Sequence, residues 1–393
     1  MYFVFVSLEP WDEIWRRNQF FCAGLLKRHS EIRILFIEPP RNLSYAVRTG
    51  SWRNMMGDTN SKTEFGDRLI CMKPLKVLPN SLTICRLFNE WFTQWQLGRL
   101  ISKLKFGNPL LWINAHYAGH LVGHMRECLV IYDITDDWIS CEVNARVSEL
   151  IRIQDAELCL KADSVVVCSE RLLELKKPMC DEVYLIPNAV DPDHYKPVLD
   201  DKNPLASETL GWESPVFGYT GTVHPERLDI DLVENLAARL ERGSIVLVGP
   251  NYLSREQSAR LRETGKVHLP GAVPYARIPD MMRAFAVCIV PHRMTAFTDS
   301  LNPIKLWEYL AAGKPIVSTD IAGFRDYRDV VSIARTPVDF FDAMQAALNE
   351  PAEKGFQRRQ LVRGHSWENR IEMIEAVIEE CLQRKRERPL HAL

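Results

Sequence analysis

No pair among the ten cysteines is spaced CxxC, and no cysteine–histidine cluster has zinc-ligand spacing. Cys128, Cys168 and Cys288 sit inside apolar runs, where a free thiol acts as a small hydrophobe. A reduced, cytosolic protein is therefore expected. No uncharged apolar stretch approaches the roughly 20 residues that a membrane span needs, which excludes an integral membrane protein. The first residues, MYFVFVSLEPW, have no basic n-region and read as a strand, not as a signal peptide. No GxGxxG follows any expected strand, which disfavours a dehydrogenase. Internal repeats and low-complexity tracts are absent as well. Strong charge of either sign is also lacking: 49 Lys and Arg face 51 Asp and Glu, a net −2, and no nucleic-acid partner is expected.

What is present is ordinary globular material in quantity. The 393 residues are 46% hydrophobic, 25% charged and 9% aromatic, enough for two sizeable cores. Charge is uneven along the chain: Lys and Arg outnumber Asp and Glu 16 to 9 over residues 1–110, then are outnumbered 8 to 16 over residues 111–200. A basic front section suggests an anionic surface or ligand near the N-terminal half.

Short apolar runs alternate with helix-period stretches. Tyr2–Val6, Ile34–Ile37, Leu110–Ile113, Cys128–Tyr132, Ser164–Cys168 and Val183–Ile186 read as buried strands, with helices over Trp15–Arg28 and Asn144–Ala162. The stretch Pro187–Pro215 holds five prolines and little periodicity, and reads as a linker. Strands then resume at Val216–Tyr219, Ser244–Val248, Lys266–Leu269, Val287–Val290 and Pro315–Ser318, with helices at Leu228–Glu241, Arg277–Ala284 and Pro303–Ala312. The expectation is α/β throughout: an N-terminal Rossmann-like domain over 1–190, a linker over 191–215, a second Rossmann-like domain over 216–365, and a C-terminal helix and tail over 366–393.

In open α/β sheets ligands bind beyond the carboxyl ends of the strands, so residues just after strands carry the chemistry. In DSLNPIKLWEYLAAGKPIVS at 299–318, Asn302 is a good N-cap and Pro303 a good first helical residue. Lys305 then opposes the helix dipole, which makes sense if an anion docks there. Glu308 lies on the same face and is suited to accept both hydroxyls of a ribose; the bland alternative is a Lys305–Glu308 surface ion pair. GYTGTVH at 218–224 lets backbone approach a phosphate at Gly221, with Thr222 adding a hydroxyl, and Arg293 in VPHR could clamp a diphosphate. In YDITDDW, Asp133, Asp136 and Asp137 follow an expected strand and are candidate bases beside Trp138, or simple turn formers. His116 is the rival base. Glu9, Trp11, Asp12, Arg16 and Arg17 would shape an acceptor site, or merely enter a helix capped by Asp12. Asp229-Ile-Asp231 is a DxD string that opens a helix and reads as its cap, so no metal is expected. The stretch Arg86–Phe106 is a helix with Phe88, Trp91, Phe92 and Trp95 beside Arg99, Lys103 and Lys105; it suits an anionic membrane interface or a core.

The second half resembles the nucleotide-sugar domain of GT-B glycosyltransferases of the broad family 4 type. The matching pieces are IPNAVDPDHY at 186–195, GYTGTVH at 218–224, GAVPYARIPDMM at 271–282, CIVPHR at 288–293, NPIKLWEYLAAGKPIVSTD at 302–320 and SWENRIEMI at 366–374. In the first half, WDEIWRRNQF and YDITDDW resemble bacterial polysaccharide transferases of the teichuronic-acid and xanthan-assembly kind. The resemblance implies two domains facing across a cleft, with a C-terminal helix crossing back. It implies Glu308 on the ribose, Lys305 on a phosphate, Gly221 and Thr222 along the diphosphate, Val273 presenting backbone to the base, and Asp136 or Asp137 as catalytic base. Two positions depart from the family: Leu301 stands where the retaining pattern has its first glutamate, and Thr222 where a basic residue often follows the glycine, with Arg227 the nearest substitute. An inverting enzyme fits, as does a variant whose phosphate charge is met by Lys305 and Arg293. The expected activity is transfer of a sugar from a UDP- or GDP-linked donor to a hydroxyl of a growing, lipid-linked (polyprenyl-type) glycan, by a cytosolic enzyme at the inner face of the membrane, with no cofactor beyond the co-substrate. A nucleotide-sugar epimerase and a two-domain sugar-binding protein are the rival readings.

Overall fold

The computed structural model describes residues 1–49, 64–80, 82–141, 144–200 and 205–387. Residues 201–204 of the expected linker, 388–393 of the expected tail, and 50–63, 81, 142 and 143 of the expected first domain lie outside the described residues. Two compact units emerge: one of Met1–Asp12, Arg16–Ile186 and Ile371–Leu393, the other of Glu13–Trp15 and Pro187–Arg370.

The first unit is built on seven parallel strands, in the spatial order Leu69–Met72, Arg33–Ile37, Tyr2–Val6, Leu110–Ile113, Leu129–Ile134, Ser164–Val167 and Val183–Leu185. The second has six parallel strands, in the order Val267–Gly271, Ser244–Val248, Val216–Thr220, Val287–Val290, Ile316–Thr319 and Ser332–Ala334. Their inner strands are buried throughout rather than alternately, because helices cover both faces of a parallel sheet. In the second sheet Phe217 and Tyr219 point into one core, while Val216 joins the core on the other face. Gly218, between them, has no room for a side chain: a Cβ there would lie 2.1 Å from the Phe285 ring.

In each sheet the chain first lays strands outward to one side, then returns to the middle and proceeds to the other. The reversal falls between Tyr2–Val6 and Leu110–Ile113 in the first unit, and between Val216–Thr220 and Val287–Val290 in the second. Loops leaving these strand pairs diverge and open a crevice. Ser7–Asp12 and Asn114–His116 therefore border one switch point, and Gly221–His224 and Pro291–Arg293 the other.

Sequence and structure differ at several places. Leu69–Met72 and Ser332–Ala334 are strands that the hydrophobic pattern did not mark, as are Arg41–Asn42 and Leu75–Lys76, which pair as a small parallel ribbon. The strand expected to end at Tyr132 runs on to Ile134, so Asp133 lies within it. The first long helix starts at Arg17, not Trp15, and Asp12 does not cap it; the Gln19 side chain accepts from the Arg16 amide at 3.1 Å instead. Asp229 caps the helix Ile230–Arg239, accepting from the Leu232 amide at 3.0 Å.

Candidate functional site

The second unit's switch point gathers residues from five sequence motifs. The helix Ile304–Ala312 begins one residue later than expected, with Pro303 at the N-cap. Asn302 was the expected cap. Its side chain is engaged elsewhere, because the Asn188 amide donates to Asn302 Oδ1 at 2.9 Å and Asn188 Nδ2 donates to the Asn302 carbonyl at 2.5 Å. This reciprocal bond ties the PNAV turn to the start of the helix and leaves the first helical amides without an Asn302 cap.

Lys305 lies in the first turn of that helix and runs alongside the glycine loop. A Cβ on Gly221 would lie 3.0 Å from Lys305 Cε and 3.2 Å from its Nζ, and the ammonium stands 5.1 Å from the Tyr219 ring centre. Gly221 has φ of 138° and donates its amide to the Val248 carbonyl at 2.9 Å. Its own carbonyl lies 1.9 Å from where a Cβ on Gly249 would sit, so both positions require glycine.

Beneath this loop lies His292, fully buried, with Nε2 3.2 Å from the Tyr219 hydroxyl and Nδ1 without a hydrogen-bond partner among the described residues. Burial holds its ring well below the usual imidazole range, and the charges of Lys305 and Arg227 push it further the same way. Two cations that disfavour a third proton on the same site create a positive potential at the glycine loop, the condition for binding an anion. Arg293 follows on the exposed side, its amide on the Arg227 carbonyl at 2.8 Å, and Thr222 is half-buried.

Glu308 is not half of a surface ion pair. Its Oε1 accepts from the Tyr195 hydroxyl at 2.7 Å. Burial raises the affinity of this carboxylate for a proton, while the Tyr195 bond and the Lys305 charge pull it back down. Tyr195, itself fully buried, belongs to the DPDHY segment; no role was read for it because only its hydroxyl, brought across 113 residues, distinguishes it from a core phenylalanine. Its neighbour His194 stacks on Tyr275 at 4.1 Å and donates its Nε2–H to the Tyr275 carbonyl at 3.0 Å. Val273, two residues earlier, is half-buried against the core of this unit. Leu301, where the retaining pattern has a glutamate, is buried and apolar.

The first unit's switch point presents a different chemistry. Asp133, expected at the strand edge, is 0% exposed and ion-paired to Arg17, which is 3% exposed, at 3.2 Å; Trp112 Nε1 also donates to it at 3.3 Å. Neither residue is presented to an acceptor, which corrects the expectation for both. The reason is that two charges leaving water together need each other. Glu9 pairs with Arg16 at 3.2 Å, and the Trp11 amide donates to Glu38 at 2.8 Å while its ring meets Phe36 edge-on. Asp137 accepts from the Ser140 amide at 3.2 Å and from its hydroxyl at 2.6 Å, which is cap and turn chemistry.

Asp136 and Asp137 nevertheless line a narrow cavity together with His116, Tyr132, Trp138 and the buried pair Asp155–Lys176. The Tyr132 hydroxyl donates to Asp155 at 2.9 Å. His116 Nδ1 is buried with no hydrogen-bond partner among the described residues, and burial lowers the ring's proton affinity. The imidazole is therefore neutral at pH 7 and able to accept a proton.

Two parallel α/β sheets, each with a switch-point crevice, one of them cationic at a helix start, define a GT-B type of fold. Residues 214–350 match the model of the family described as "Glycosyl transferases group 1". Over 256 residues, 61% of this chain, it is 27% identical to TuaH of Bacillus subtilis (strain 168), named as a candidate teichuronic acid biosynthesis glycosyltransferase; the match spans 64% of that relative's length. Among solved structures, sucrose-phosphate synthase from Thermosynechococcus elongatus superposes with a TM-score of 0.74 at 14% identity, covering 98% of this chain and 99% of that one. Anabaena HepE, in complex with UDP and glucose, superposes with a TM-score of 0.65 at 13% identity, over 96% and 99% of the two chains.

Proposed function

We propose that this protein is a glycosyltransferase that moves a sugar from a nucleoside-diphosphate sugar to a hydroxyl of a lipid-linked glycan in cell-envelope polysaccharide synthesis, working at the inner face of the membrane. One observation carries the donor reading: the Lys305 ammonium at the start of a helix, packed against Gly221 beside a histidine kept neutral by burial first and then by the charges of Lys305 and Arg227. The group 1 domain match over 214–350 supports it independently.

In this reading the loop at Gly221 and Thr222 lines the diphosphate, and Lys305 and Arg293 take the negative charge that develops on it as the glycosidic bond breaks. Glu308, oriented by Tyr195, accepts from the ribose hydroxyls. Val273 offers backbone to the base, and Asn302 holds the helix start through Asn188. Leu301 supplies no carboxylate to the sugar, which favours a direct displacement with inversion. In the first unit, Asp136 and the neutral His116 are the candidates to take a proton from an acceptor hydroxyl. Asp137 is the weaker candidate, since its oxygens already serve Ser140.

Thermal unfolding in the presence of UDP, GDP, ADP and dTDP, with NAD as a control, tests the donor site. A ligand at 100 times its dissociation constant adds about 2.7 kcal/mol. Stabilisation by one diphosphate supports the reading and names the base of the donor. No shift with any of the four removes it.

A further inference from the structure

The helix Thr83–Leu104 has two apolar faces and, among the described residues, only one of them is covered. On the inner side Leu97 and Ile101 enter the core, and Asn89 and Gln96 are sewn to the segment before the helix: Asn89 accepts from the Val77 and Leu78 amides at 3.2 and 3.1 Å, and Gln96 accepts from the Leu75 amide at 2.9 Å. On the outer side a stripe at helical spacing stays in water: Ile84 is 73% exposed, Leu87 52%, Phe88 40%, Trp91 57% and Trp95 48%. The rings form a ladder, Phe88 on Phe92 at 6.1 Å and Phe92 on Trp95 at 5.7 Å, which holds them in place. The stripe then turns basic, with Arg99 lying over the Trp95 ring at 5.6 Å and Lys103 and Lys105 beyond. Residues 83–105 carry four basic side chains and one acidic one. The short helix Leu43–Thr49 packs on the same strand, Leu75–Lys76, and repeats the composition: Tyr45 is 51% and Val47 62% exposed, with Arg48 over the Tyr45 ring.

We infer that these two helices form one docking surface for an anionic bilayer, with Thr83–Leu104 lying in the interface and its aromatic stripe among the headgroups. Tryptophan and tyrosine favour that boundary because one end of each ring is apolar and the other polar. Arginine and lysine beside them meet anionic headgroups while their stems cover apolar surface. Among the described residues no helix is long and apolar enough to cross a membrane, so the helix lies on the bilayer and does not span it. A second copy of the chain suits the face less well, since it would bring two basic helices together. The surface does not depend on the donor assignment, and its test uses no nucleotide.

The full chain is sedimented with vesicles of phosphatidylcholine alone, and of two parts phosphatidylcholine to one part phosphatidylglycerol. Partition onto the anionic vesicles should exceed that onto the neutral ones by about tenfold or more, and should fall as salt is added. Trp91→Ser with Trp95→Ser should lower binding by about tenfold or more. Ile84→Glu, at the most exposed position of the stripe, checks the same face with the least risk to folding. Arg99→Gln with Lys103→Gln should lower anionic binding about 25-fold, at about fivefold per charge, and leave the neutral control unchanged. Equal partition onto both vesicles, or full binding by the Trp91/Trp95 and Ile84 variants with unaltered unfolding midpoints, overturns the inference. So does a lipid-free dimer that the tryptophan pair of substitutions makes monomeric.

Discussion

Replacing Tyr195 by phenylalanine removes one oxygen and nothing else. The ring is fully buried and its volume is kept, so no cavity opens; what is lost is the 2.7 Å bond to Glu308, together with a hydrogen bond to the Tyr275 hydroxyl. A hydrogen bond to an ionised group contributes ~1.5–3 kcal/mol. Losing it should therefore raise further the pH at which Glu308 ionises. Burial already holds this carboxyl above its ordinary value, and the Tyr195 bond works against that. The sign follows. A carboxyl raised in the folded state favours folding at low pH, and that contribution is lost as pH climbs through its folded-state ionisation. Tyr195→Phe should therefore destabilise little in acid and by ~1.5–3 kcal/mol near neutrality. The acid limb of nucleotide binding should move upward with this ionisation, because an ionised Glu308 is the better acceptor for ribose hydroxyls. Urea unfolding between about pH 4 and pH 8, with calorimetric titration of the diphosphate identified by the thermal screen, reads both effects. A destabilisation that is flat across this range, with nucleotide affinity unchanged at every pH, refutes the Tyr195–Glu308 coupling and with it the ribose role.

Lys305→Ala should lower turnover by about 10²–10³ with the unfolding midpoint nearly unchanged; in the same variant His292 should take a proton at higher pH, visible in its imidazole NMR signals, and an unmoved His292 would refute the charge coupling. Arg17→Met leaves Asp133 buried with its main counter-charge gone and should cost about 3–5 kcal/mol in urea unfolding, whereas Arg17→Met with Asp133→Leu should recover much of it. Parental stability of the single variant would show that the pair does not hold the first sheet. Gly249→Ala should abolish the thermal response to nucleotide, because the methyl falls on the Gly221 carbonyl; a full response would show that the glycine loop is not the phosphate site. Asp136→Asn should lower turnover about 10²–10⁴-fold if that carboxylate is the base, and His116→Gln should do so if the imidazole is; full rates in both variants would exclude the pair.

Most of the sheet was legible because parallel strands buried on both faces are continuous apolar runs, and Ser244–Val248 or Leu110–Ile113 have no other plausible reading. Leu69–Met72 and Ser332–Ala334 escaped because they are short edge strands with mixed burial, set among charged residues. Local signals also placed Lys305 and Glu308 correctly on one helix. They failed wherever a partner distant in sequence took over a side chain. Asn302 has every local mark of a cap, yet Asn188, 114 positions away, holds its amide. Asp133 reads as a strand-end carboxylate until Arg17, 116 positions away, reaches it. Tyr195 carried no local mark at all.

The helix Trp367–Glu387 has a consequence for the order in which the polypeptide matures. Its residues from Ile371 onward belong to the first unit, where Ile371 Cδ1 lies 2.7 Å from the place a Cβ on Gly24 would occupy, Glu372 and Glu375 pair with Arg28 and His29, and Lys385 reaches Asp163 at 2.6 Å. On the ribosome, the second unit can emerge and close before the first has received this last element. The N-terminal half must therefore wait, with the seat beside Gly24 open, until the whole of the following unit has been synthesised. A fragment cut at Ile186 would keep that seat open permanently, so a soluble N-terminal half will need residues 371–387 supplied as a graft or a separate peptide.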